Sequence, residues 1–248
     1  MRWSFSRTEE RPVAAVPLTI KLVLGLALVL QVAWQSSVPQ PVARAAALPH
    51  PPGEGWLRVM SLGEPIALSQ WLVLYLQAFD NQPGISIPYA DLDYGAVKSW
   101  LAAALRLDPE GQYPLLMASH LYARVPDEAR QRQMLEFVHQ HFQQDPDRRW
   151  RWLAHAAITA KHQLKDLPLA LRYGEEITRR APAAAGWARQ MRIFLLADMG
   201  EREAAAVLLG GLLESGEVTD AAEINFLTGR LKELNQDQKP PIPPSPRQ

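Results

Sequence analysis

Apolar residues fall into three regimes along the chain. From Leu18 to Val38 (LTIKLVLGLALVLQVAWQSSV) they are almost continuous, and from Ile66 to Phe79 (IALSQWLVLYLQAF) they cover most sides of a short helix. Beyond Asp91 they recur every three or four residues, as on amphipathic helices. The first run reaches about 31 Å at ~1.5 Å per residue, the thickness of a bilayer core. Lys21 sits near one end, where its stem reaches the headgroups, and Trp34 near the other, where indoles favour the interface. The second run gives about 21 Å, too short to span, and is expected as a buried helix paired with Asp91 to Leu107 (DLDYGAVKSWLAAALRL). Between them, the prolines of Asp80 to Ala90 (DNQPGISIPYA) and the alternation of Ile85, Ile87 and Tyr89 predict an extended loop. Those three residues either grip a partner or pack over the first hairpin, and packing is the favoured reading.

Further along, helix-opening breaks at Asp108-Pro109, Asp145-Pro146 and Ala181-Pro182 place the prolines 37 and 36 residues apart. A large aromatic follows each break (Tyr113, Trp152, Trp187), then a second helix with a small residue near its start (Ala129, Ala170, Ala204). The pattern predicts helix pairs in which proline stops one helix, the aromatic fills the gap and alanine permits close approach. Leu167, Ala170, Leu171, Gly174 and Ile177 share one helical face, as do Trp187, Met191, Phe194 and Leu195. Asp166 is placed to cap the helix that carries Pro168, and Gly200 and Gly216 stand where helices should stop. Asp220 and Glu223 form a capping-box pattern ahead of Ile224, Leu227, Leu231 and Leu234, the expected lid over the last pair.

From Leu107 to Ser215 this arrangement resembles the tetratricopeptide repeat, a helix-turn-helix unit with an early aromatic, a small residue in its second helix and a closing proline. The units here are longer than is usual, and Gly174 and Ile177 stand where an aromatic and a small residue are expected. The resemblance implies an all-α fold, a right-handed array of antiparallel helix hairpins whose first helices line a groove. Its ligand-facing register falls on Tyr122, Trp150, Lys161 and Arg192, a surface that implies an extended peptide or an acidic C-terminus as ligand.

Arg2, Arg7 and Arg11 precede the apolar run, partly offset by Glu9 and Glu10, which favours a cytoplasmic N-terminus and an exported remainder. Ala43-Arg44-Ala45 has the small-x-small form of a signal cleavage site, but the polar gap before it is long and holds Pro39 and Pro41, so an uncleaved anchor is the expectation. The chain then divides into a cytoplasmic segment (1–17), a membrane helix (18–38), a proline-rich spacer (39–55), a helical domain (56–235) and a disordered proline-rich tail (236–248).

Composition narrows the function. The 248 residues are 48% hydrophobic, enough for a core, and 26 Lys+Arg balance 26 Asp+Glu, so no basic field invites nucleic acid. Cysteine is absent, which removes disulfides, thiolate metal sites and a cysteine nucleophile. His139 and His141 point to different sides of a helix, and His155 and His162 are two turns apart, so no metal site is expected. The acid pairs Asp91/Asp93 and Glu175/Glu176 come with no sign of a cleft, and no nucleophile elbow, phosphate loop or zinc-protease motif is present. Arginine and indole alternate in DRRWRW, Asp147 to Trp152, but Trp152 is expected in the core and Arg148 and Arg149 in solvent. The expectation is a single-pass bacterial inner-membrane protein with a periplasmic protein-binding scaffold, without enzymatic activity, cofactor, small-molecule substrate or nucleic-acid partner. The alternatives are a soluble exported binding protein released by cleavage, or an enzyme with an unrecognised site.

Overall fold

The computed structural model describes residues 16–38 and 45–236. The N-terminal arginines, Pro39, Pro41, Ala43, Arg44 and the tail from 237 onward lie outside the described residues. The chain forms two compact units, Met1–Arg44 and Ala45–Gln248.

The first unit contains helix α1, Leu18–Ser37, exposed along its whole length. It follows Pro17, whose fixed φ suits a helix entry, and its 20 residues are long and apolar enough to cross a membrane.

The second unit is all-α apart from one small hairpin. In order come α2 (Glu54–Met60), α3 (Pro65–Ala78), strands β1 (Asn81–Gln82) and β2 (Ile85–Ser86), α4 (Tyr94–Leu107), α5 (Tyr113–Leu116), α6 (Glu128–Phe142), α7 (Pro146–His162), α8 (Leu167–Arg180), α9 (Gly186–Asp198), α10 (Arg202–Glu214) and α11 (Ala221–Gln236). The helix begun by α5 widens into a π turn over Met117–Leu121 and tightens to a 3-10 turn over Tyr122–Arg124. Aspartates mark many starts. The side chains of Asp93, Asp127, Asp166 and Asp220 each accept a backbone N–H from the first turn of the helix that follows. Glu223 does not complete a reciprocal box at α11, because its carboxylate accepts from Gln190 Nε2 at 3.0 Å instead. Gly200 and Gly216 close α9 and α10 with φ of +87° and +70°, a conformation that favours glycine.

From α6 onward each helix packs on the next in sequence, and α3 packs on α4. The first helices of successive pairs also touch, the π turn with α7 and α7 with α9. One core runs from Leu48 to Leu195, and a smaller one beneath α11 holds Ile193, Ala205, Leu209, Leu227 and Leu234. Bonds between breaks join residues 36 to 40 apart: Gln77 Nε2 donates to Tyr113 Oη at 2.6 Å, Trp152 Nε1 to Gln112 Oε1 at 2.6 Å and Ala183 N to Asp147 Oδ1 at 3.0 Å. Of these, Ala183 to Asp147 joins equivalent places of two breaks, and the other two tie a break to a neighbouring helix.

Several expectations are corrected. Tyr113 and Trp187 are 46% and 53% exposed, and Trp152 is half-buried, so the residues that fill the core are instead Tyr122, Phe142 and Tyr173. Ala129 and Ala204 are exposed, whereas Ala170 is buried as expected and Ala205 takes the inward place in α10. A one-residue shift turns a side chain by about 100° on a helix, so a repeat register read one position out selects the wrong face. Gly174, which departs from the repeat pattern, marks a close approach: a Cβ there would stand 3.4 Å from Arg192 N and Leu195 Cδ1.

The spacer is shorter than its proline content suggests. Within the stretch from Ala45 to Gly53, Leu48 is buried, Trp100 Nε1 donates to Pro49 O at 2.7 Å, and Ala46 exchanges hydrogen bonds with Gln82 at 2.8 and 3.1 Å. An extended proline-rich strand has no internal hydrogen bonds, so its carbonyls are free to dock. The Asp80 to Ala90 segment is likewise a closed hairpin, turned at Pro83-Gly84 with φ +78° at Gly84 and fastened by Ile87 N to Asp80 O at 2.7 Å. Ile87 and Tyr89 pack against the core and Ile85 is half-buried, the arrangement of the packing alternative.

Candidate partner-binding surface

The four residues picked out by the repeat register do not line one groove. Tyr122 is fully buried, its ring meeting Tyr89 and Tyr94 edge-on at 5.8 and 6.1 Å, and its backbone carbonyl accepts from Tyr94 Oη at 3.0 Å. Burial raises its phenol above the ordinary value, with Tyr89 and Tyr94 adding to the effect. It is a core residue. The wide π turn just before it shifts the register of the helix, which a regular 3.6-residue count does not anticipate.

Trp150 is half-buried on α7, in edge contact with Trp187 at 5.6 Å and beneath the guanidinium of Arg151 at 5.7 Å. Lys161, near the end of α7, pairs with Asp198 at the end of α9, so its charge already has an acceptor. The two lie at the mouth of a hollow of about 600 Å³ that also takes in Phe194, Asn225, Phe226 and Arg230. Arg192 instead lines a separate hollow of about 570 Å³ between α8, α9, α10 and the start of α11.

That second hollow carries charge of both signs, with Arg189 and Arg192 on one side and Glu217, Asp220 and Glu223 on the other. Small residues, Gly186, Gly211 and Ser215, open it, while Arg189 and Arg192 project from neighbouring turns of α9. Arg189 pairs with Glu217 at 3.2 Å but keeps a buried Nε without a hydrogen-bond partner among the described residues. Arg192 has no ion pair there. Arg189 and Gln190 were missed in the sequence; their three- and two-residue spacing from Arg192 was visible, but the surface that unites them depends on where α10 and α11 fold back.

Arg149, expected in solvent, is also missed: it is 3% exposed and donates to His141 O at 2.7 Å and Pro109 O at 2.6 Å. Burial lowers its pKa, opposed by Asp145. Its neighbour Arg148 does lie at the surface, between Glu110 and Asp145. Among the described residues no group of three His, Cys, Asp or Glu is placed to hold a metal ion.

The rings of His120 and His155 stack at 3.4 Å between the π turn and α7. Burial, with His120 and Arg124 nearby, pushes His155 down to about 4. Between pH 6.5 and 4 the unfolded chain therefore binds a proton at this site that the folded chain refuses, so stability is full above 6.5 and falls as the pH drops through that window. The expected loss is on the order of 2 kcal/mol. Urea unfolding from pH 7 to 4 should show a shallower fall for His155→Phe than for the wild type, and equal slopes would overturn the assignment.

Comparison with protein families, curated proteins and solved structures finds no match for this chain.

Proposed function

We propose that the chain is a single-pass inner-membrane protein of a bacterial envelope whose helical domain, a tetratricopeptide-like array on the periplasmic side, binds a protein or peptide partner as a scaffold in assembly or quality control of an envelope complex. The observation that carries this reading is that each helix from α6 onward packs on the next while the first helices of successive pairs also touch, with hydrogen bonds 36 to 40 residues apart between neighbouring pairs, the arrangement expected of stacked repeat units. Such stacks present continuous surfaces made from several units, suited to extended ligands. α1 supplies the anchor, and the arginines before it set the orientation. The Arg192 hollow is the proposed binding surface: Arg189 is taken up by Glu217, and Arg192 is the guanidinium left to hold a ligand carboxylate by charge-assisted hydrogen bonds, beside the hollow's own Asp220 and Glu223.

Reporters fused after Gln236 test the topology: activity of a periplasm-dependent reporter is expected, and activity of a cytoplasm-dependent one overturns it. Arg192→Glu tests the surface. It should leave thermal melting unchanged and weaken cross-linked capture of a partner from membranes about fivefold, ~1 kcal/mol. Unchanged capture would remove the hollow from consideration. Lys161→Glu is a poor probe by comparison, since it also breaks the contact with Asp198.

A second reading has an observation of its own. The second compact unit begins at Ala45, at the small-x-small site, so cleavage there would release a soluble domain with its docked leader complete. The N-terminal residue of the mature protein separates the two, Ala46 marking the soluble form.

A further inference from the structure

Helix α3 (PIALSQWLVLYLQA) contains no charged residue. Its inner side buries Leu72, Val73 and Leu76, and its outer side leaves Ile66, Trp71 and Leu74 exposed. α2 meets it at a bend of 111° and exposes Trp56 and Val59, and the turn between them presents Leu62, 90% exposed. Leu62 also has φ +49°, a left-handed conformation unfavourable to a bulky side chain, and Gly63 follows at +91°. An apolar residue held in a strained conformation and aimed into water gains nothing from the domain's own packing. The segment has the make-up of a surface that something else covers.

The observations favour lipid as the cover. If α1 crosses the bilayer, Val38 marks its exit, and Ala46 is already fastened to Gln82 on the second unit. Eight residues of chain span at most about 28 Å at ~3.5 Å per residue, so Ala46 stays within that distance of the end of α1. α3 at 14 residues is about 21 Å long, too short to span but suited to lying in the interface. Trp56 and Trp71 supply the indoles that favour the headgroup region, and the only charged residues of α2, Glu54 and Arg58, are paired with each other at 3.3 Å.

We propose that α2, the Leu62-Gly63 turn and the outer side of α3 form an interfacial foot that rests in the headgroup region of the bilayer crossed by α1. This rests on the reading of α1 as an anchor, and the test separates the two. The chain has no cysteine, so single cysteines report one position each. Full-length Leu62→Cys, Val29→Cys and Glu203→Cys variants, carrying an environment-sensitive fluorophore, are reconstituted in phosphatidylcholine vesicles with and without nitroxide-bearing lipids. Nitroxide should quench the labels at 29 and 62 and leave the label at 203 on α10 bright, and Ile66→Cys should repeat the result at 62. Quenching at 29 but not at 62 or 66 overturns the foot and leaves the anchor standing. A label at 29 that stays bright removes the anchor and the foot with it. Unquenched label at 62, together with disulfide-linked dimers of the unlabelled Leu62→Cys protein, assigns the surface to a second copy, which also overturns the proposal.

Discussion

Replacing Arg149 by methionine should destabilise the domain by about 3 kcal/mol, although the position lies in an arginine-rich run at a helix start. The guanidinium bridges two breaks. Nη1 donates to His141 O at the end of α6 and to Gln144 Oε1 at 3.3 Å, and Nη2 donates to Pro109 O, 40 residues upstream. The C-terminal carbonyls of a helix carry partial negative charge, which offsets part of the cost of burying a cation without a direct carboxylate contact. Methionine keeps the apolar stem but leaves Pro109 O without its donor; His141 O retains the N–H of Gln144. Arg149→Lys should recover only part of the loss, since one ammonium on a flexible stem does not reproduce the planar fork that spans both acceptors. Urea unfolding followed by helical circular dichroism measures both. A loss below about 1 kcal/mol for the methionine variant would mean that the breaks hold together without this bridge.

Tyr122→Ala should cost about 3 to 5 kcal/mol, because a fully buried ring is removed from between Tyr89 and Tyr94 and leaves a cavity. Tyr122→Phe should stay within about 1 kcal/mol of the wild type or exceed it, since the hydroxyl is buried without a hydrogen-bond partner among the described residues. Trp187→Ala makes the contrast. The repeat pattern assigns Trp187 the role of core aromatic, yet half of it faces solvent, and its truncation should cost about 1 kcal/mol. Thermal or urea melting of the three variants gives the order, and a larger loss at Trp187 than at Tyr122 would restore the original register.

The legible features were those written locally. Proline breaks, the aspartate caps of α8 and α11 and the glycines at the ends of α9 and α10 each depend on a few adjacent residues, and each is where the sequence placed it. The inward faces were less legible. Ala204 and Ala205 differ by one step, and only the true start of α10 at Arg202 decides between them. The stretch from Ala45 to Gly53 has no periodicity to read, so its docking through Leu48 and Pro49 left only Leu48 as a clue. The binding surface was the least legible part. Lys161 and Asp198 stand 37 residues apart, close to the repeat spacing, so their pairing was available to an argument that compared charges one period apart. Arg189 and Arg192 needed the fold-back of α10 and α11, which no local pattern encodes.

The packing of each helix on its sequence neighbours also bears on the order in which the chain is expected to acquire structure. Among the described residues no side-chain hydrogen bond joins positions more than 51 apart, the Trp100 to Pro49 bond being the longest in sequence. Contact order is therefore low, and loop closure is brief at each step. During synthesis from the N-terminus α3 and α4 are complete before α11 exists, so each later hairpin is expected to find its docking edge already folded. The same nearest-neighbour coupling makes the small core beneath α11 the place where amide exchange begins, with opening there able to stop at α9 and leave the larger core intact.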